Sequence, residues 1–182
     1  KDLGFVMSVP PIVHINRDNE IFPLSGISNS KTIVCNENGY YSTYKSDKYG
    51  FNNFNSEWDE NEIEFLLIGD SYIQGACVNR PDDIASVLRM LSKKAVLNLG
   101  YGGNGPLIEY ATLKEYYKPS VKNVIWFYYE GNDLNDLKNE LRNKTLKKYL
   151  NNNGFSQNLK NYQIQIDKIN SQLISNTFFE TN

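Results

Sequence analysis

From residue 62 onward, apolar runs alternate with helical patterns. IEFLLIG (63–69) is an unbroken apolar run, which predicts a strand covered on both faces. PDDIASVLRMLSKK (81–94) predicts a helix, with Pro81 in its first turn, Asp82 and Asp83 at the positive amino end, and Lys93 and Lys94 at the carboxyl end. AVLNLG (95–100) predicts a second, short strand. PLIEYATLKEYYK (106–118) predicts a second helix, opened by Pro106 and stopped before Pro119. NVIWFYYEG (123–131) predicts a third buried strand, and NDLNDLKNELRNKTLKKYL (132–150) one long helix. NNNG (151–154) interrupts the pattern. Leu159, Tyr162, Ile166, Ile169 and Leu173 then fall on one stripe of a helix over 158–174, which suits docking on the domain more than binding a partner. Strands alternating with helices across short links predict an α/β fold built on a parallel sheet with right-handed crossovers.

Residues 1–55 read as an irregular amino-terminal arm holding three of the six prolines. Within it, KTIVCN (31–36) and YYSTY (40–44) flank Glu37-Asn38-Gly39, a hairpin signal. The α/β domain is expected over 56–182. No internal repeat is visible.

Composition narrows the function. With 182 residues there is enough chain for one domain with a real core. A net charge of −2 gives no electrostatic footprint for nucleic acid. No run of about twenty apolar residues exists to span a membrane. Cys35 and Cys77 make neither a disulfide framework nor a metal-ligand spacing, and they read as buried small apolar residues or free thiols, with one mutual disulfide left open. The single histidine, His14, argues against a histidine-based zinc site, so no metal or cofactor is expected. The chain opens on Lys1 rather than Met, which suggests a trimmed piece of a longer product and is compatible with an extracytoplasmic location after loss of a leader.

The chemistry gathers where the strands end. Gly69-Asp70-Ser71 follows the first strand. Asn98, Gly100, Gly102, Gly103, Asn104 and Gly105 follow the second, and Glu130-Gly131-Asn132-Asp133 the third. In an open parallel sheet, ligands bind beyond the carboxyl ends of the strands, so the three clusters should converge on one edge. Ester cleavage needs a nucleophile and fixed donors for a developing oxyanion. A serine hydroxyl, glycine-exposed backbone N–H groups and a neutral asparagine amide supply both.

These clusters resemble the SGNH, or GDSL, hydrolase superfamily. GDSYIQG resembles its first block, with Ser71 as nucleophile. NLGYGGNG resembles the second, with Gly103 as oxyanion donor and Gly102 as the near alternative. EGNDLND resembles the third, with Asn132 as amide donor, and Asp70 and Asp133 as supporting residues. The lead-in Asp47-x-x-Gly50-Phe51-x-Asn53 is similar to one that precedes the first block in some bacterial members. The resemblance covers about residues 46–140 and implies a three-layer α/β/α sandwich of flavodoxin-like type. It also implies a cofactor-free esterase or deacetylase acting on small-molecule or carbohydrate esters, or an O-acetyltransferase variant. The family's fourth block, Asp-x-x-His, is missing after Asn132, and so are its last strands. The chain therefore reads as a truncated hydrolase or as a non-catalytic domain that binds a glycan or a protein.

Plainer readings stand beside these. Ser71 alone suits a helix cap. The glycine cluster suits a tight turn or a phosphate cradle, yet no Gly-Lys-Ser/Thr occurs, nor a Gly-x-Gly-x-x-Gly followed by an acid at the distance that holds a ribose. Glu130 and Asp136 read as solvated or supporting groups. His14 lies upstream of Ser71, opposite to the family's order for the base.

Overall fold

The structure, a computed structural model, describes residues 4–17, 20–37 and 39–179. Two three-stranded sheets form its frame. The first joins β1 (Phe5–Met7), β2 (Lys31–Cys35) and β3 (Ser42–Lys45) in that order, with β1 parallel and β3 antiparallel to β2. The expected hairpin is β2–β3, in register at Thr32↔Tyr44 and shifted between Ile33 and Cys35. Asn38 of its turn signal lies outside the described residues.

The second sheet is parallel throughout, in the order β5 (Val96–Asn98), β4 (Ile63–Ile68), β6 (Val121–Trp126). The chain is thus mixed α/β with a parallel sheet. Successive residues of the central β4 point to opposite faces. Leu66 and Ile68 pack with Leu97 and with Leu107, Ile108 and Ala111 of α3 (Pro106–Tyr116). Leu67 packs with Val96, with Ile73 of α1 (Ser71–Gln74) and with Ala85 of α2 (Ile84–Ser92). Removing each such side chain from water contributes roughly 1.5–3 kcal/mol. Phe22, Leu24 and Phe51 of the first 55 residues enter the same cluster as Leu66, so the core is continuous with the amino-terminal stretch.

Three expectations need correction. β6 is not buried: among the described residues it pairs only with β4, it ends at Trp126, and Val124 and Trp126 are each 43% exposed. α2 begins at Ile84, where the Asp83 side chain accepts from the Ser86 N–H, so Pro81 and Asp82 belong to the preceding turn. The long helix is two, α4 (Asp133–Glu140) and α5 (Lys144–Asn151), because Asn143 turns outward and caps the second through the Leu146 N–H at 3.0 Å.

The last segment enters through a 3-10 turn (Leu159–Asn161) into α6 (Gln163–Phe179). Leu159 and Ile166 are buried in the main core. Asp167 accepts from the Ser28 N–H and hydroxyl, and the Asn170 amide donates to the Ser25 carbonyl. Ile166, Asp167 and Asn170 dock the helix, whereas Tyr162 of the expected stripe is 40% exposed. Among the described residues, no helix is long and apolar enough to cross a membrane.

Candidate active site

β4 delivers Gly69, Asp70 and Ser71 to the carboxyl edge of its sheet. Asp70, not Ser71, is the helix cap: its side chain accepts the Tyr72 N–H at 3.0 Å. Ser71 is the first residue of α1 and is half-buried, and neither its hydroxyl nor its N–H has a hydrogen-bond partner among the described residues. The free N–H at this end favours negative charge.

The loop after β5 lies against α1. A Cβ on Gly100 would stand 2.5 Å from Ile73, so only a glycine lets the loop approach this closely. Asn98 secures the contact. Its Nδ2 donates to the Ile73 carbonyl, and its Oδ1 accepts the Gly100 N–H at 2.8 Å. Asn98 is itself gripped by Asn53, which accepts its N–H and donates to its carbonyl, each at 2.8 Å. The buried Asp47 carboxylate then takes four donors: the Tyr49 and Phe51 N–H groups, Asn53 Nδ2 and Trp58 Nε1. Burial raises the Asp47 pKa, against the pull of these donors. The lead-in Asp47–Asn53 thus holds the end of β5, and with it the glycine loop, through bonds from the Asn53 side chain to the Asn98 backbone 45 residues away in sequence.

The two candidate glycines differ. The Gly102 N–H is used, donating to Gln74 Oε1 at 2.8 Å. Gly103 sits at φ +72°, and its N–H has no partner among the described residues. Asn132, the residue before α4, donates through Nδ2 to Asp136 Oδ2 at 2.8 Å, which leaves the second amide hydrogen unassigned. Its Oδ1 is buried without a partner. Asp70, Ser71, Gly102, Gly103 and Asn132 all line one cavity of about 610 Å³. Asp133 does not line it. It is fully buried behind it, where it accepts the Tyr129 N–H at 2.6 Å.

Several parts of the site have no signal in the spacing of the sequence. Gln74 ties the Gly102 loop to the amino-terminal stretch by donating to Ser8 Oγ and to Tyr44. Cys35 and Cys77 are joined in a disulfide that forms part of the cavity wall, so neither is a free thiol. Behind the cavity, Glu140 accepts the Gly105, Leu107 and Ile108 N–H groups and so caps α3 from another helix. Glu109 accepts the Trp126 indole N–H at 2.6 Å, while its other oxygen is buried and unpartnered. Burial, followed by neighbouring carboxylates, pushes the Glu109 pKa up to about 8, and burial pushes Glu140 up to about 7. Asp133 and Asp136 are also raised, first by burial and then by the nearby Asp70.

The chain's one histidine does not line the cavity. His14 is buried elsewhere, with Nε2 3.0 Å from Asn170 Oδ1, and burial lowers its pKa. Among the described residues, no three His, Cys, Asp or Glu side chains come together as a cation site. Comparison of the chain with protein-family models, with curated proteins and with solved structures finds no match.

Proposed function

We propose that the chain is the nucleophile-bearing part of a serine ester hydrolase of the SGNH type. The observation that carries the proposal is the meeting, in one cavity, of an unpartnered serine hydroxyl, an unpartnered glycine N–H and an asparagine amide, each from the end of a different parallel strand. Ser71 Oγ attacks the acyl carbon. The carbonyl electron pair moves to oxygen, where the Ser71 and Gly103 N–H groups and Asn132 Nδ2 receive it. The serine proton passes through a base to the departing alcohol, and water then releases the acyl group by the same route. The base is a histidine from outside this sequence, since His14 is paired with Asn170. The same reading makes the fold a flavodoxin-like three-layer sandwich. The parallel order β5-β4-β6, the core on both faces of β4 and the open edge of β6 support it.

The test is covalent labelling by a fluorophosphonate, read as intact mass. Three proteins are compared: this chain, the chain extended to its natural stop codon, and the extended chain carrying Ser71→Ala. The expected result is one adduct on the extended chain alone. Labelling that survives Ser71→Ala refutes Ser71 as nucleophile. The absence of histidine from the cavity favours a second reading, a non-catalytic glycan- or protein-binding domain. If folded extended chain takes no label, that reading replaces the first.

A further inference from the structure

We infer that Tyr72 and Tyr129 form a stacking platform at the mouth of the Ser71 cavity, and that the esters received there carry a neutral sugar ring. The ester half of this statement rests on the proposed hydrolase; the binding half does not.

Tyr72 is 60% exposed and Tyr129 46%, yet both line the cavity. Their rings lie 5.4 Å apart between centroids, inclined at 57°. Backbone contacts put them there. The Tyr72 N–H is held by Asp70, and the Tyr129 N–H by the buried Asp133. The Tyr129 ring lies over Gly131, where an added Cβ would stand 2.5 Å from it. Two large aromatic rings are therefore held in water beside a nucleophile rather than packed in the core. An aromatic face with a polar tip suits a ligand that is apolar on one face and hydroxylated at its edge, which describes a pyranose.

The charge around the cavity narrows the sugar. Glu37 and Asp70 line it, and among the described residues no lysine or arginine does. One Asp70 oxygen takes the Tyr72 N–H, and the other has no partner among the described residues. Carboxylates accept hydroxyl donors and repel anions in a partly enclosed site. A neutral sugar is accepted, and a uronate or phosphorylated sugar is disfavoured. A long acyl chain lacks a continuous apolar wall here, because acids, hydroxyls, glycines and amides interrupt the lining. The volume of about 610 Å³ lies within the usual range for ligand pockets, about 300–1,000 Å³.

The test is saturation-transfer NMR on the extended chain carrying Ser71→Ala, which binds without turning over. The probes are methyl glucoside, its acetylated form, methyl glucuronide and acetylcholine. Saturation should reach the ring C–H protons of both glucosides, with glucuronide binding about tenfold weaker or worse. Tyr72→Ala and Tyr129→Ala should each weaken the acetylated glucoside about tenfold, while Tyr72→Phe, which keeps the ring, should stay close to the parent. Three results overturn the inference: no transfer to either glucoside, unchanged affinity in both folded alanine variants, or acetylcholine bound more tightly than the acetylated glucoside. Sugar binding by a protein that takes no fluorophosphonate keeps the platform and removes the hydrolase. Labelling without sugar binding does the reverse.

Discussion

Gly102 and Gly103 are neighbours of the same type, yet only one has a backbone N–H to offer. The difference is Gln74, whose amide oxygen takes the Gly102 N–H. Spacing from Asn98 points to Gly103, but nothing local to the loop shows that Gly102 is occupied by a side chain 28 residues away. Gly103→Ala tests the assignment. The positive φ and a Cβ 3.1 Å from Ile12 both resist the substitution. The expected stability cost is about 1–2 kcal/mol by thermal melt. If the N–H is displaced, the fluorophosphonate labelling rate of the extended chain should fall about a hundredfold or more. A labelling rate that matches the parent in a folded variant would remove Gly103 from the oxyanion site.

At the scale of elements, the hairpin β2–β3 is fastened to the turn after α1. Cys35 and Cys77 form the disulfide, the Cys77 N–H donates to Ser42, and the Thr43 N–H donates to Asn79. This clamp forms one wall of the cavity. Two cysteines 42 residues apart carry no pairing signal in sequence, and only the approach of the hairpin to α1 brings them together. From the loop length alone, reduction should cost about 4 kcal/mol. Dithiothreitol should therefore lower the thermal midpoint of the parent and leave a Cys35→Ser, Cys77→Ser variant unmoved. An identical midpoint in reduced and oxidised parent would show that the clamp contributes nothing. β6 teaches the opposite lesson. Its apolar run predicts burial, but burial depends on a neighbour, and among the described residues β6 has one only on its β4 side. The break between α4 and α5 was legible in principle, because Asn143 is a good cap residue. The helical periodicity running through it hid the signal.

The whole molecule carries a set of buried carboxylates whose titration should show in its stability. Glu109 is raised to about 8 and Glu140 to about 7, from an ordinary glutamate value of 4.5. Asp47, Asp133 and the half-buried Asp136 shift the same way. Between 4.5 and these folded values, the folded protein keeps protons that the unfolded chain releases, so stability falls as pH rises. His14 is shifted down, so it opposes the trend once pH drops below its ordinary 6.5. The thermal midpoint should therefore climb as pH is lowered from about 8 to about 6.5. Glu109→Gln should flatten that climb, since the amide can still accept from Trp126 and has no charge to bury. A flat profile in the parent would show that these carboxylates are better solvated than their burial implies. By itself the sequence determined the alternation of strands and helices, the parallel α/β class and the places where polar residues follow strands. Those are short-range properties, written in side-chain periodicity and in Gly, Pro, Asp and Asn at element ends. Only the tertiary structure decided which N–H groups stay free, which cysteines join, that Glu140 caps α3, and that Tyr72 and Tyr129 meet at the cavity mouth. Each of these depends on partners far apart in the chain, and only packing sets their distance.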